Sequence, residues 1–250
     1  MTEQQAVLLW NRADRARRRF SKHMEAATTI ALNSQLEMII GGIQHGVEQP
    51  ENLANEYPIQ QLFVLLYGTV GVEFARQTFL SVKSVPIELL TKGSKPQADE
   101  LHGNWLRQMR KLALEKNGDK ITGITHTTRE FARKTLAKAK ELGEDAVSYL
   151  RNKWNEIIKN RAKVIAKSEI SAASSAGALL GAKSVNQLLQ KSWLSQRDSK
   201  VRNSHHHADG QTVALDEPFI VNGYEMQQPC DPTFAPISET VNCRCFLTFS

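Results

Sequence analysis

The chain has 250 residues, 41% hydrophobic and 23% charged, with a formal net charge of +6 at pH 7; that balance fits a globular protein of one or two domains and excludes a disordered or collagenous chain. No apolar run approaches the roughly 20 residues of a bilayer span, and the start Met-Thr-Glu-Gln-Gln has no basic stretch leading into an apolar core, so neither a membrane partner nor a cleaved secretion signal is expected. The charge is divided: residues 203–250 hold six acids and one base, a net −5, and residues 1–202 hold 31 bases and 20 acids, a net +11, so the longer part is the one expected to meet polyanions.

Residues 4–40 contain neither proline nor glycine and are rich in alanine, leucine, glutamate and arginine, which predicts a long helix ending near Gly41-Gly42. Inside it Arg15, Arg17, Arg18, Arg19 and Lys22 form a basic run that a helix spreads around much of its circumference. The run reads either as a solvated surface or as non-specific contacts to DNA phosphates or an acidic partner. Pro50 and Pro58 bracket a connector. Residues 59–80 read as a second, largely buried helix, with Leu62, Phe63, Leu65, Leu66, Val70 and Phe74 covered on more than one side; its apolar surface predicts burial against another subunit or the partner protein. Residues 82–97, with Pro86, Gly93 and Pro96, read as a linker.

An amphipathic helix is predicted over 99–116, stopped by Asn117-Gly118. Thr127 and Glu130 have the spacing of a capping box, which starts a helix that should end near Gly143. The longest helical periodicity runs through Val147, Leu150, Trp154 and Ile157 into the small residues 171–178, where helices can approach closely. After Lys183 the period changes. Strands are predicted at 192–194, 211–215 and 246–249, and a hairpin at 219–226 turning on Asn222-Gly223, a pair suited to a type I′ turn. The expected fold class is α+β: a mainly helical N-terminal region with a small C-terminal β-containing module, divided as 1–97, 98–183 and 184–250.

All three cysteines, Cys230, Cys243 and Cys245, lie in the last quarter with the run His205-His206-His207. Three cysteines cannot form a closed disulfide framework, and a reducing compartment fits them. Residues two apart in a strand share a face, so Cys243 and Cys245 would present their sulfurs together while Arg244 points away. With His205, and with Cys230 or Asp209 as a fourth donor, they make a set that tetrahedral zinc accepts. They read also as buried thiols packed around an imidazole, or as a tight Cys-x-Cys disulfide. An open metal site, or Cys243 and His205 as nucleophile and base, would instead make a hydrolase or nuclease; none of the H-E-x-x-H, G-x-S-x-G, P-loop or dinucleotide fingerprints is present. Asp198 and Arg202, four apart, predict an ion pair on one helical turn, or an Arg202 that holds a carboxylate. Asp209-Gly210 and Asp231-Pro232 are turn chemistry.

The order Trp193, Asp198, Arg202, Ser204-His205, Asp209-Gly210, Glu217-Pro218-Phe219, Pro229-Cys230-Asp231-Pro232 and Asn242-Cys243-Arg244-Cys245 resembles the C-terminal module of the Mu F-like phage head morphogenesis family, the minor head proteins of tailed phages. A looser similarity reaches back to about Phe131. Cys230 departs from the pattern, standing where such proteins usually carry glycine. The resemblance implies a non-enzymatic minor head (minor capsid) protein acting in capsid assembly at the phage portal protein, beside capsid or scaffold proteins, assembled in the host cytoplasm and packaged inside the virion head. It also matches Lys167-Ser168-Glu169 to a basic, hydroxyl and acidic run before an alanine-rich helix, so Glu169 is expected to face the C-terminal module. Mu F-like modules can precede toxin domains; with five residues after Cys245, none is expected here.

Overall fold

The structure, a computed structural model, describes residues 3–82, 94–185 and 188–250. Helix α1 (Glu3–Gln44) runs straight through Gly41-Gly42, where the sequence predicted its end. The stop is Gly46 at φ +70, a left-handed conformation that glycine adopts without a Cβ penalty. Gly42 serves packing instead: a Cβ there would lie 2.9 Å from Pro50 Cβ and 2.6 Å from Leu53 Cδ1, in the 3₁₀ turn Pro50–Leu53 that folds back onto the helix.

The predicted second helix is two, α2 (Tyr57–Leu66) and α3 (Val72–Val82), joined by a π-helical turn at Tyr67–Gly71. Leu62, Phe63, Leu66, Val70 and Phe74 are buried as expected, whereas Leu65 turns outward. Their apolar face is covered within the chain by α4 and α6, so this helix pair is core and not the free docking surface its composition suggested. The predicted linker falls mostly outside the described residues; α4 (Ser94–Glu115) already includes its end. Helix α5 (Gly118–Leu142) passes through Thr127, so no helix starts there. The Thr127 hydroxyl donates back to the Ile124 carbonyl at 2.8 Å and Glu130 pairs with Arg133, because i−4 and i−3 partners within a continuing helix compete with capping. Gly143 at φ +69 ends α5, as predicted.

Helix α6 (Ala146–Lys183) is the axis of the molecule. The Asp145 carboxylate caps it, accepting from Ser148 N at 2.8 Å and satisfying an orphan donor of the first turn. From Ser168 to Ala182 nearly every residue is buried, since α1 lies along one side and α3 along another. The small residues set how close these helices come: a Cβ on Gly177 would stand 2.0 Å from the Gly71 carbonyl oxygen, and one on Gly181 2.1 Å from that of Ala75.

The C-terminal module is built on β1 (Gln190–Leu194), which pairs antiparallel with β2 (Thr212–Ala214) on one side and β5 (Phe246–Phe249) on the other. Trp193 stands opposite Leu247. A separate hairpin, β3 (Phe219–Val221) and β4 (Tyr224–Met226), turns at Asn222 (φ 53) and Gly223 (φ 80), the two positive φ angles of the predicted type I′ turn. Two short helices, α7 (Asn203–Ala208) and α8 (Ile237–Thr240), complete it, giving the expected α+β fold. No helix of the described residues is long and apolar enough to cross a membrane.

Candidate metal centre

Helix α7 begins at Arg202, whose extended φ and ψ place it as the N-cap. This short helix turns His205 inward and leaves His206 and His207 exposed. Cys243 and Cys245 lie just before β5, not within it, yet their sulfurs still converge: Cys243 Sγ is 3.5 Å and Cys245 Sγ 3.4 Å from His205 Nδ1. All three residues are 1–2% exposed, and their candidate ligand atoms lie within 4.8 Å of one another. No disulfide joins them; the three cysteines are free thiols.

The spacing suits a metal. Tetrahedral zinc with Zn–S of about 2.3 Å and Zn–N of about 2.0 Å separates nitrogen from sulfur by about 3.5 Å, close to the 3.4 and 3.5 Å observed. The surroundings suit one also. His205 Nε2 faces Glu239 Oε2 at 3.1 Å, the carboxylate partner that fixes tautomer and ring plane in metal-binding histidines and leaves Nδ1 as the ligand. Glu239 is held in turn, accepting from Ser204 Oγ at 2.8 Å and Asn222 Nδ2 at 3.0 Å. The Cys245 backbone N–H donates to Cys243 Sγ at 3.4 Å. The Trp193 indole N–H is buried with no hydrogen-bond partner among the described residues. Trp193 also meets the His205 and Phe219 rings edge-on at 5.5 and 5.4 Å. The Cys245 N–H aimed at the Cys243 sulfur favours the thiolate form that metals bind.

The ionisation of the cluster follows. Hydrogen bonds from Cys230 and Cys245, with help from His205, hold Cys243 well below the usual thiol range. Cys230 is pushed well up by its hydrogen bond to Cys243 and by burial, and Cys245 by burial and the Cys243 charge. For His205, burial acts to lower the pKa, but the hydrogen bond and charge of Cys243 and the charge of Glu239 outweigh it, so the net direction is upward.

The other motif residues brace this centre. Asp198 does not pair with Arg202; it takes Arg244 bidentately at 2.7 and 2.8 Å, because Arg244, between the two inward cysteines, projects toward that loop. Among the described residues Arg202 holds no carboxylate; it donates to the Val241 carbonyl. Asp209 lies outside the group of His205, Cys243 and Cys245: its oxygens accept from Ser195 N and Arg197 Nε, both at 2.7 Å, while Gly210 follows at φ +82. Asp231 ties its turn by accepting from Gln227 N and Thr233 N. Asn242 adopts φ 56 and its N–H donates to Ser168 Oγ at 3.1 Å, so Ser168, not Glu169, is the residue of the Lys167-Ser168-Glu169 run that meets the module. Glu169 points elsewhere, into a buried pair with Lys120 at 3.2 Å that Tyr67 OH also reaches, because adjacent helical residues face about 100° apart.

The basic run divides. Arg17 is buried and does not face solvent as a DNA contact must: it donates to Ser174 Oγ (2.7 Å), Ser175 Oγ (3.2 Å) and the carbonyls of Arg244 (3.4 Å) and Cys245 (3.1 Å). Together with the Trp10 indole bonded to the Arg244 carbonyl, it fastens α1 to the module. Arg15, Arg18, Arg19 and Lys22 remain exposed. With Arg17 withdrawn, Arg12, Arg15, Arg19 and Lys22 follow at steps of three and four residues and share one helix face, a stripe where the sequence suggested a scatter.

Sequence reasoning missed Glu239 and the inward role of Arg17. Nothing local marks either: one is an acid in a polar turn, the other a base among bases.

The residues that build the helical axis and the small Cys/His module together carry a family match. The family described as Phage Mu protein F like protein matches residues 116–248, over half the chain, and the protein belongs to that family of phage head-morphogenesis proteins. It is also similar to the NAD(+)--arginine ADP-ribosyltransferase EFV of Enterococcus faecalis, 32% identical over 97 residues, which are 38% of this chain and 20% of that protein. The chain therefore spans about a fifth of the length of that relative. No solved structure matches.

Proposed function

We propose that the protein is a minor head protein of a tailed phage or prophage, acting in capsid assembly at the portal and packaged inside the head. The observation that carries this reading is the family match over residues 116–248, together with a module whose Cys/His centre is buried instead of open. Side chains only 1–2% exposed offer a substrate no approach, which favours a structural centre over a hydrolase, where a metal must keep an open position. Zinc is the ion that the mixed imidazole and thiolate donors fit, and a closed site would make metal affinity part of folding stability. The exposed stripe Arg12, Arg15, Arg19 and Lys22 is the surface available for sequence-independent contact with packaged DNA.

Co-purification of the untagged protein with the portal protein of the same phage tests the assembly role. Capture that persists after nuclease treatment supports it; a protein that fails to meet the portal and every other head component contradicts it.

A further inference from the structure

Arg17 lies inside the protein, and among the described residues no carboxylate forms an ion pair with it. Its hydrogen bonds to two hydroxyls and two carbonyls satisfy donors but supply no charge, and a guanidinium does not release its proton to escape burial. An unmatched buried cation is strongly unfavourable. The groups whose negative charge would act on it most are Cys230, then Cys243, then Cys245, all ahead of Asp14. The structure thus sets a permanent cation against three thiols.

Cys230 is the unusual member. It is 1% exposed and adopts φ +67, a left-handed conformation that disfavours any residue with a Cβ. That backbone places its thiol beside the cluster, where it donates to the Cys243 carbonyl at 3.8 Å; it lies outside the group of His205, Cys243 and Cys245 ligand atoms that are all within 4.8 Å of one another, so it must turn from that carbonyl to reach a metal held there. Charge then distinguishes two stoichiometries. A divalent ion with two thiolates and a neutral imidazole is itself neutral, and the Glu239 carboxylate on the far nitrogen of the His205 ring is not among the groups that act most on Arg17; with three thiolates the ion carries a single negative charge beside the guanidinium, which balances it.

We propose that Cys230 is the fourth ligand of a metal held by His205, Cys243 and Cys245, and that Arg17 of α1 is the counter-cation of the resulting anionic Cys3His centre. This rests on the zinc reading above. Forming the centre also ties α1 to the module, since Arg17 spans from the Cys245 carbonyl to Ser174 and Ser175 of α6.

The test uses the full chain without an affinity tag, loaded with cobalt(II), whose thiolate charge-transfer absorption grows with the number of sulfur ligands. The wild type should bind one equivalent with tetrahedral spectra, and Cys230→Gly, which relaxes the backbone and so preserves the metal-free fold, should lose about one third of that absorption and bind at least about tenfold more weakly. Arg17→Met should weaken binding and Arg17→Lys should restore part of it. Undiminished charge transfer and affinity in Cys230→Gly overturn the four-ligand centre while leaving a three-ligand site. A wild type that binds no metal overturns the zinc reading as well. Metal lost on replacing the exposed His206 and His207 by alanine is surface-bound and counts against the proposal.

Discussion

Gly177→Ala is a sharp probe of the helical axis, because helix propensity and packing pull in opposite directions. In a helix interior Ala is favoured over Gly by about 0.8–1.0 kcal/mol. Here the new Cβ would sit 2.0 Å from Gly71 O, 2.7 Å from Gly71 C and 2.8 Å from its Cα, against ordinary contact at 3.4 Å or more. The obstacle is backbone on both sides, so α6 and the π turn must part by over an ångström and loosen the neighbouring Gly181–Ala75 crossing too. Overpacking of this kind costs about 1–3 kcal/mol and occasionally more; with backbone as the obstacle the upper end applies, so the net loss should be about 2 kcal/mol. For a chain of this size that lowers Tm by about 4–8 °C. Gly103→Ala and Gly123→Ala are the controls: both lie within helices with nothing within 4 Å of the added Cβ, so each should hold or raise Tm by up to about 4 °C. Thermal unfolding followed by circular dichroism reads all three. A Gly177→Ala protein as stable as the controls would refute the close crossing.

Other consequences are equally direct. Glu169→Leu strands the buried Lys120 ammonium and should cost about 3–5 kcal/mol in denaturant titration, while the double change Lys120→Met with Glu169→Leu should recover most of it; equal loss in both would show that the pair does not matter as a pair. Lys191, buried with its ammonium donating to Gln227 O and Oε1 at 2.9 Å, is lowered to about 8 by burial. Its folded pKa lies below the unfolded one of about 10.4, so the unfolded chain holds more protons between them, and wild-type stability should rise relative to Lys191→Met from about pH 8 to 10.4. Parallel pH profiles would contradict that. For α1, replacing Arg12, Arg15, Arg19 and Lys22 by alanine should flatten the salt dependence of DNA binding by about 0.9 per lost phosphate contact; an unchanged slope places the DNA contact elsewhere or removes it.

Much of this architecture is legible in the chain because local chemistry agrees with tertiary context. Asn222-Gly223 announces its turn, Gly143 its helix end, and the run from Ser171 to Ala178 its close packing. The readings that fail are those where a local signal meets a stronger distant one. Gly41-Gly42 looks like a stop but is space for Pro50 and Leu53. Thr127 and Glu130 look like a cap but lie within α5. At the candidate centre, His205, Cys243 and Cys245 can be singled out as rare donor types at suggestive spacing. Their partners cannot, since Arg17 is 228 residues from the Cys245 carbonyl it reaches and Glu239 becomes special only by accepting from Ser204, His205 and Asn222 at once.

Quantitative mass spectrometry of purified, protease-treated heads tests the central claim most directly, comparing phage that encode the wild-type protein with phage that encode Cys243→Ser. The account predicts a wild-type protein protected inside the head, and a Cys243→Ser protein that unfolds at lower temperature and is depleted from heads. Wild-type heads that lack the protein, while it accumulates free in the lysate, would contradict it.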